Sequence, residues 1–225
     1  MSIKVLYEDN HLLVVDKPIN VPMQKDNSND LDLFTMCKDY IKEKYQKPGN
    51  VYLALLHRLD RPVSGVCIFA KTSKAASRLS SDIAKHNFKK EYLAVVYDNG
   101  LKDEDTFKDK LLKDEKTNTV RVDKNGKDAS LDYRVLNRKD NLALVKINLH
   151  TGRSHQIRVQ FSSRNHPLWG DQRYNKNAKV GQQIALHSYR LTIIHPVTKE
   201  EMVFECENDR TPFKEMRQWQ KRKED

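Results

Sequence analysis

Two short apolar stretches open the chain. Residues 3–7 (IKVLY) and 11–15 (HLLVV) predict strands joined by the turn-forming Glu8-Asp9-Asn10. Pro18 has no N–H to give a ladder, so Asp16-Lys17-Pro18 ends the second strand. Residues 19–30 are polar and read as a loop. Across 31–46, Leu31, Phe34, Cys37, Ile41 and Tyr45 recur near helical spacing, and Pro48-Gly49 stops that helix. Apolar runs of strand length at 51–56 and 66–70 enclose the polar loop from His57 to Gly65. Thr72 is placed to cap a helix over 73–86, with Ala76, Leu79 and Ile83 on one face. A strand is predicted over 91–97, followed by a charged surface excursion over 101–118. Strands then follow at 119–123, 129–136 and 141–149, with Asn125-Gly126 turning a hairpin between the first two. Residues 153–164 predict a short helix with Ile157 and Phe161 inward. A last hairpin is expected from 190–195 and 201–205, and a terminal amphipathic helix from Pro212.

Strand runs with interspersed helices imply the α+β class: a mixed, mostly antiparallel central sheet flanked by helices and loops. One domain is expected over 1–225, with its core at about 3–205 and a basic tail at about 212–225. At 38% hydrophobic and 32% charged, the composition is that of a folded chain. No apolar run is long enough for a membrane helix, and acids near the start argue against a signal peptide. Three widely spaced cysteines, Cys37, Cys67 and Cys206, fit neither a disulfide scaffold nor a CxxC metal site, and the expected compartment is the reducing cytoplasm.

Charge changes the picture. The formal net charge is +10, and it is uneven. Residues 151–190 carry Arg153, Arg158, Arg164, Arg173, Lys176, Lys179 and Arg190, opposed by Asp171 alone. That is the footprint of a polyanion partner, or of a basic solvated surface.

Two polar clusters stand out. In His57-Arg58-Leu59-Asp60-Arg61, a carboxylate lies between arginines on a loop anchored by two apolar strands. Positive neighbours favour an ionised Asp60, suited to a nucleophile or general base; a structural ion pair is the competing reading. In Thr151-Gly152-Arg153-Ser154-His155-Gln156-Ile157-Arg158, a helix start with two arginines could hold phosphate, or be an ordinary cap. It matches neither a GxGxxG nor a P-loop, so no nucleotide cofactor is expected. His150, His155, His166, His187 and His195 lack the HExxH and zinc-finger spacings, so no metal is expected. Tyr92 alone reads as a core aromatic with a bonded hydroxyl.

Taken in order, the segments resemble the RluA family of RNA pseudouridine synthases. They are YEDNHLLVVDKP (7–18), HRLDRPVSG (57–65), KKEYLAVV (89–96), LHTGRSHQIRVQ (149–160), HPLWGDQRY (166–174), and IALHSYRL with HPVTKE (184–200). The resemblance implies that uridine in RNA is isomerised to pseudouridine without net redox change or cofactor. It implies Asp60 as the essential carboxylate, whether it attacks sugar, attacks base or removes a sugar proton. It implies Arg158 as an active-site arginine paired with Asp60, and Tyr92 as the tyrosine beside the target uracil. Arg58 would help hold the flipped-out nucleotide, and Leu186 would line the uracil pocket. Arg153, His155, Gln156 and His187 complete the expected substrate-binding set. The expected partner is a stem-loop of rRNA or tRNA, read by a monomer without an added N-terminal RNA-binding domain or a membrane. The pattern departs at Val63, where threonine is common, at Asn20 for a usual glycine, at Gln160 for a common histidine, and in SSRNHP before the GD turn. Asn tolerates left-handed geometry, so Asn20 is expected to keep that turn.

Overall fold

The structure, a computed structural model, describes residues 3–85 and 87–217. Its strands are β1 (Lys4–Glu8), β2 (Leu12–Lys17), β3 (Ala54–Leu55), β4 (Ser64–Ala70), β5 (Lys89–Tyr97), β6 (Glu104–Asp114), β7 (Thr119–Val122), β8 (Lys127–Lys139), β9 (Leu142–Leu149), β10 (Leu186–Ile194) and β11 (Glu201–Glu205). Its helices are α1 (Leu33–Lys44), α2 (Ser73–Ala84) and α3 (Gln156–Ser162). This is the expected α+β class. The chain divides into two compact units: residues up to Lys89 with Ser188–Glu207, and Lys90–His187 with the chain from Asn208 on. Among the described residues, no helix is long and apolar enough to cross a membrane.

In the first unit β2 is antiparallel to both β1 and β4, β3 lies on β4, and β10 pairs with β11. The hairpin forms because Asp9 holds its own turn: its Oδ1 accepts from the N–H groups of His11 (2.7 Å) and Leu12 (2.6 Å). Both faces of β4 are buried. Leu12, Val14, Val66, Ile68, Leu79, Leu191 and Ile193 close one core, with Phe88 and Phe204. Cutting Leu79 to alanine there costs about 2–5 kcal/mol. The predicted cap forms, with Thr72 accepting from Ala75 N at 3.2 Å; α1 is capped as well, by Asp32, which accepts from Thr35 N at 3.0 Å. The apolar run at 51–56 yields a strand of only two residues, β3. Asn20 does adopt the left-handed backbone, at φ 61°.

Glu8 ties α1 to the hairpin. Its carboxylate accepts from Lys44 (2.6 Å), Lys71 (2.6 Å), Tyr40 (2.9 Å) and Tyr45 (2.9 Å). Burial alone would raise its pKa, but the four donors outweigh it and hold the group at about 2.

In the second unit β5, β9, β8, β6 and β7 follow one another, each pair antiparallel. Two expectations are corrected here. The charged stretch at 101–118 is not a loose excursion but contains β6, eleven residues paired on both edges. Its period is masked because Asp109 shares the inward row with Phe107 and Leu111; Arg164 takes that carboxylate at 2.9 and 3.1 Å. The Asn125-Gly126 turn also does not pair the strands on either side of it. β7 pairs with β6, and β8 with the other edge of β6. Gly126 is needed where it is, since a Cβ there would sit 2.4 Å from the Leu111 carbonyl carbon. Phe107, Tyr133 and Phe161 form a triangle with ring centroids 5.0–5.2 Å apart. Such pairs add about 0.5–1.5 kcal/mol each beyond their buried area.

The predicted short helix appears as α3, with Ile157 and Phe161 both buried. Residues 213–217 are helical; the rest of the expected terminal helix, and residue 86, lie outside the described residues.

Candidate active site

Asp60 and Arg58 belong to the first unit, on the loop between β3 and β4. Asp60 is half-buried, Arg58 is exposed, and Leu59 between them is buried. The loop closes in a turn, with Val63 N donating to Asp60 O at 2.9 Å. Beneath it lies Lys17, fully buried at the end of β2. Its ammonium donates to the carbonyls of Pro18 (3.0 Å), Arg61 (2.9 Å) and Val63 (2.7 Å). A desolvated ammonium is costly unless its donors are satisfied, and three carbonyls supply that here. The loop therefore enters β4 over a fixed cation supplied by the end of β2. His57 anchors the other end, its Nε2 accepting from Ile68 N at 3.2 Å. Gly65 sits at φ 120°, and a Cβ there would stand 2.2 Å from the Ser188 carbonyl oxygen. Only glycine lets β4 start this close to β10.

Arg61, expected to flank Asp60 with positive charge, turns its guanidinium toward the 19–30 loop. It donates to Ser28 Oγ at 2.8 Å and bonds Asp26 and Asp30.

Arg153, His155, Gln156 and Arg158 belong to the second unit, at the start of α3. Gln156 is buried and its amide is satisfied on both sides. Oε1 accepts from Thr151 Oγ1 (2.7 Å) and Arg153 N (3.0 Å); Nε2 donates to Ser130 O (3.1 Å) and Gln160 Oε1 (3.0 Å). Gln160, standing where a histidine is common, continues the chain to Asp109 at 2.7 Å. The geometry makes Gln156 the residue that shapes the 151–153 loop. Arg153 donates from Nε to Asp128 O at 2.8 Å. His155 takes the left-handed backbone at φ 50° and gives α3 no side-chain cap. Its Nδ1 lies 2.7 Å from the Tyr174 hydroxyl, which accepts from Val120 N at 2.9 Å.

Arg158 is buried and forked onto Asp171: Nε to Oδ2 at 2.9 Å, Nη2 to Oδ1 at 2.7 Å. Tyr174 lies under the guanidinium, 5.1 Å from its centre. Asp171 is held in turn by the N–H of Arg173 at 3.1 Å. The segment bearing it is docked on β5 through Trp169 N to Val95 O (2.9 Å) and Tyr97 N to Pro167 O (3.0 Å). Gly170 supplies φ 73° at its turn. Asp171, Tyr174 and Lys17 were not singled out from the sequence. For Asp171 the signal was present, as the one acid among seven bases of 151–190.

Tyr92 is buried on β5 opposite Ile147 of β9. Leu186 and His187 are buried at the start of β10, and His187 meets Phe213 edge-on, 6.3 Å between centroids. The basic segment is partly neutralised from within: Arg158 pairs with Asp171, Arg164 with Asp109 and Arg190 with Glu205.

Comparison with known proteins adds three findings. The family model for RNA pseudouridylate synthases matches residues 11–163, a stretch that holds Asp60, Tyr92 and Arg158. Ribosomal large subunit pseudouridine synthase D of Zymomonas mobilis is 31% identical over 222 residues, covering 92% of this chain and 69% of its own length; the dual-specificity RNA pseudouridine synthase RluA of Haemophilus influenzae is 33% identical over 213 residues, covering 91% of this chain and 93% of its own. Among solved structures, human RNA pseudouridylate synthase domain containing 4 superposes with a TM-score of 0.76 at 22% identity, over 91% of this chain and 88% of that one, and so shares the fold.

Proposed function

The chain belongs to the RNA pseudouridylate synthase family, and from that premise we propose that it isomerises specific uridines in rRNA or tRNA with Asp60 as the essential carboxylate. The observation that carries this reading is the family match across 11–163 with the HRLD aspartate intact at Asp60. In the reaction the bond from C1′ to N1 breaks and the bond from C1′ to C5 forms. The C5 proton leaves and N1 gains one, so no oxidant, reductant or cofactor is called for.

Tyr92 and Arg158 are the other catalytic residues of the proposal, and Arg58, Arg153, His155, Gln156, Leu186 and His187 bind substrate. Their chemistry suits the work. A fixed carboxylate acts best where its loop cannot relax, and Lys17 fixes the carbonyls of that loop. The Asp171 fork fixes the plane of Arg158. Flipping a uridine out of its stack costs a few kcal/mol, which phosphate contacts by basic side chains offset. Closing the site to water protects a freed uracil from loss to solvent. The family names favour ribosomal RNA as the first substrate to try. Three free, buried cysteines support the expectation of a reducing cytoplasm.

The test is turnover by purified protein, read as tritium released from RNA whose uridines carry tritium at carbon 5. Wild type releases tritium and Asp60→Asn does not, while both bind RNA alike. Release by Asp60→Asn at the wild-type rate would remove Asp60 from the reaction.

A further inference from the structure

We propose that Lys90 is an RNA phosphate contact, its ammonium seated against the loop at Gly152 to receive a backbone phosphate of the substrate. The inference rests on the pseudouridine synthase reading and adds a residue to it.

Lys90 stands at the start of β5, two residues before Tyr92. Its Nζ lies 3.3 Å from where a Cβ on Gly152 would be, so a side chain at 152 would crowd the ammonium. Gly152 belongs to the loop whose shape Gln156 fixes, and its neighbour Arg153 turns its Nε to the Asp128 carbonyl.

The comparison with two other lysines is decisive. Where this fold buries an ammonium for structure, it supplies acceptors. Lys17 has three carbonyls, and Lys71 has the Glu8 carboxylate and the Asp9 carbonyl, each at 2.6 Å. The half-buried Lys90 ammonium has no hydrogen bond or ion pair among the described residues. The adjacent acid, Glu91, pairs with Lys146 at 2.6 Å instead. Burial lowers the Lys90 pKa below its ordinary value, and no acid offsets that. A desolvated cation without a partner costs stability, and an arriving anion removes the cost. Phosphate is the anion an RNA presents at every step of its backbone.

The experiment uses the full chain and total RNA, tritiated at carbon 5 of uridine, from cells lacking the gene. Initial rates are measured for wild type, Lys90→Met and Lys90→Arg between about 50 and 200 mM salt. For Lys90→Met, KM rises severalfold with kcat little changed, and the slope of log KM against log salt falls by about one. Lys90→Arg keeps the wild-type slope. Gly152→Ala raises KM in the wild-type background and adds nothing in Lys90→Met, as expected when both act through one ammonium. The melting temperature of Lys90→Met stays level or rises, because a half-buried charge that no acid offsets has gone. An unchanged KM and salt slope in Lys90→Met overturns the proposal, as does a lowered melting temperature with activity lost equally at every salt. Wild-type protein that releases no tritium overturns the functional reading and this inference together.

Discussion

The Lys17 ammonium lies 2.7 Å from the Val63 carbonyl oxygen, and so a cation buried at the end of β2 holds the last turn of the loop that carries Asp60. The same ammonium holds Arg61 O and Pro18 O. A carboxylate that acts electrostatically gains from being held in place before the reaction.

Lys17→Met keeps much of the volume and removes all three donors. Stability should fall by about 3 kcal/mol or more, as carbonyls are left without partners. Turnover on RNA should fall more than RNA binding does. Chemical denaturation with parallel binding and rate measurements checks this; a variant of wild-type stability and rate would show that the loop holds itself.

Asp171→Asn leaves a buried guanidinium facing a neutral amide. Removing one partner of a buried pair costs about 3–5 kcal/mol, and the amide recovers part of that. The melting temperature should drop, and kcat should drop with it at temperatures where the variant is still folded. Asp171→Glu, which keeps the charge but not the reach, should fall between. A kcat unchanged in folded Asp171→Asn would mean that the orientation of Arg158 does not limit the reaction.

Much of this was legible in the sequence. Thr72 caps α2 as its hydroxyl and position predict, and Asn20 takes the left-handed turn left to it by a missing glycine. These are local effects, decided by a residue and its near neighbours. β6 was hidden because Asp109 occupies an inward position that only Arg164 and Gln160 make tolerable, and those partners lie more than fifty residues away. The hairpin at Asn125-Gly126 looked like a local pairing, but β6 pairs with both of its arms. Lys17 was visible only as a motif letter, since a lysine at a strand end reads as solvated until the carbonyls around it are known, and Asp171 only as the lone acid of a basic segment. The excess of arginine in 151–190 likewise overstated the charge open to a ligand, because Arg158, Arg164 and Arg190 each meet an acid.

Glu8 gives a pH signature. Its ordinary pKa is 4.5 and its folded value is about 2, where burial is outweighed by its four donors. A depressed carboxylate contributes stability that is whole above the ordinary value and is lost as pH falls toward the folded one. Glu8→Gln should therefore be less stable than wild type at neutral pH, and the gap should narrow between about pH 4.5 and 2. Denaturant midpoints across that range decide it; a gap that stays constant with pH would assign the loss to packing.

The most direct test of the central claim is a pseudouridine map of total rRNA and tRNA from cells with and without the gene, made with a probe specific for pseudouridine. The account predicts that one or a few sites vanish with the gene, return with the intact protein, and do not return with Asp60→Asn. Return of those sites with Asp60→Asn would contradict it.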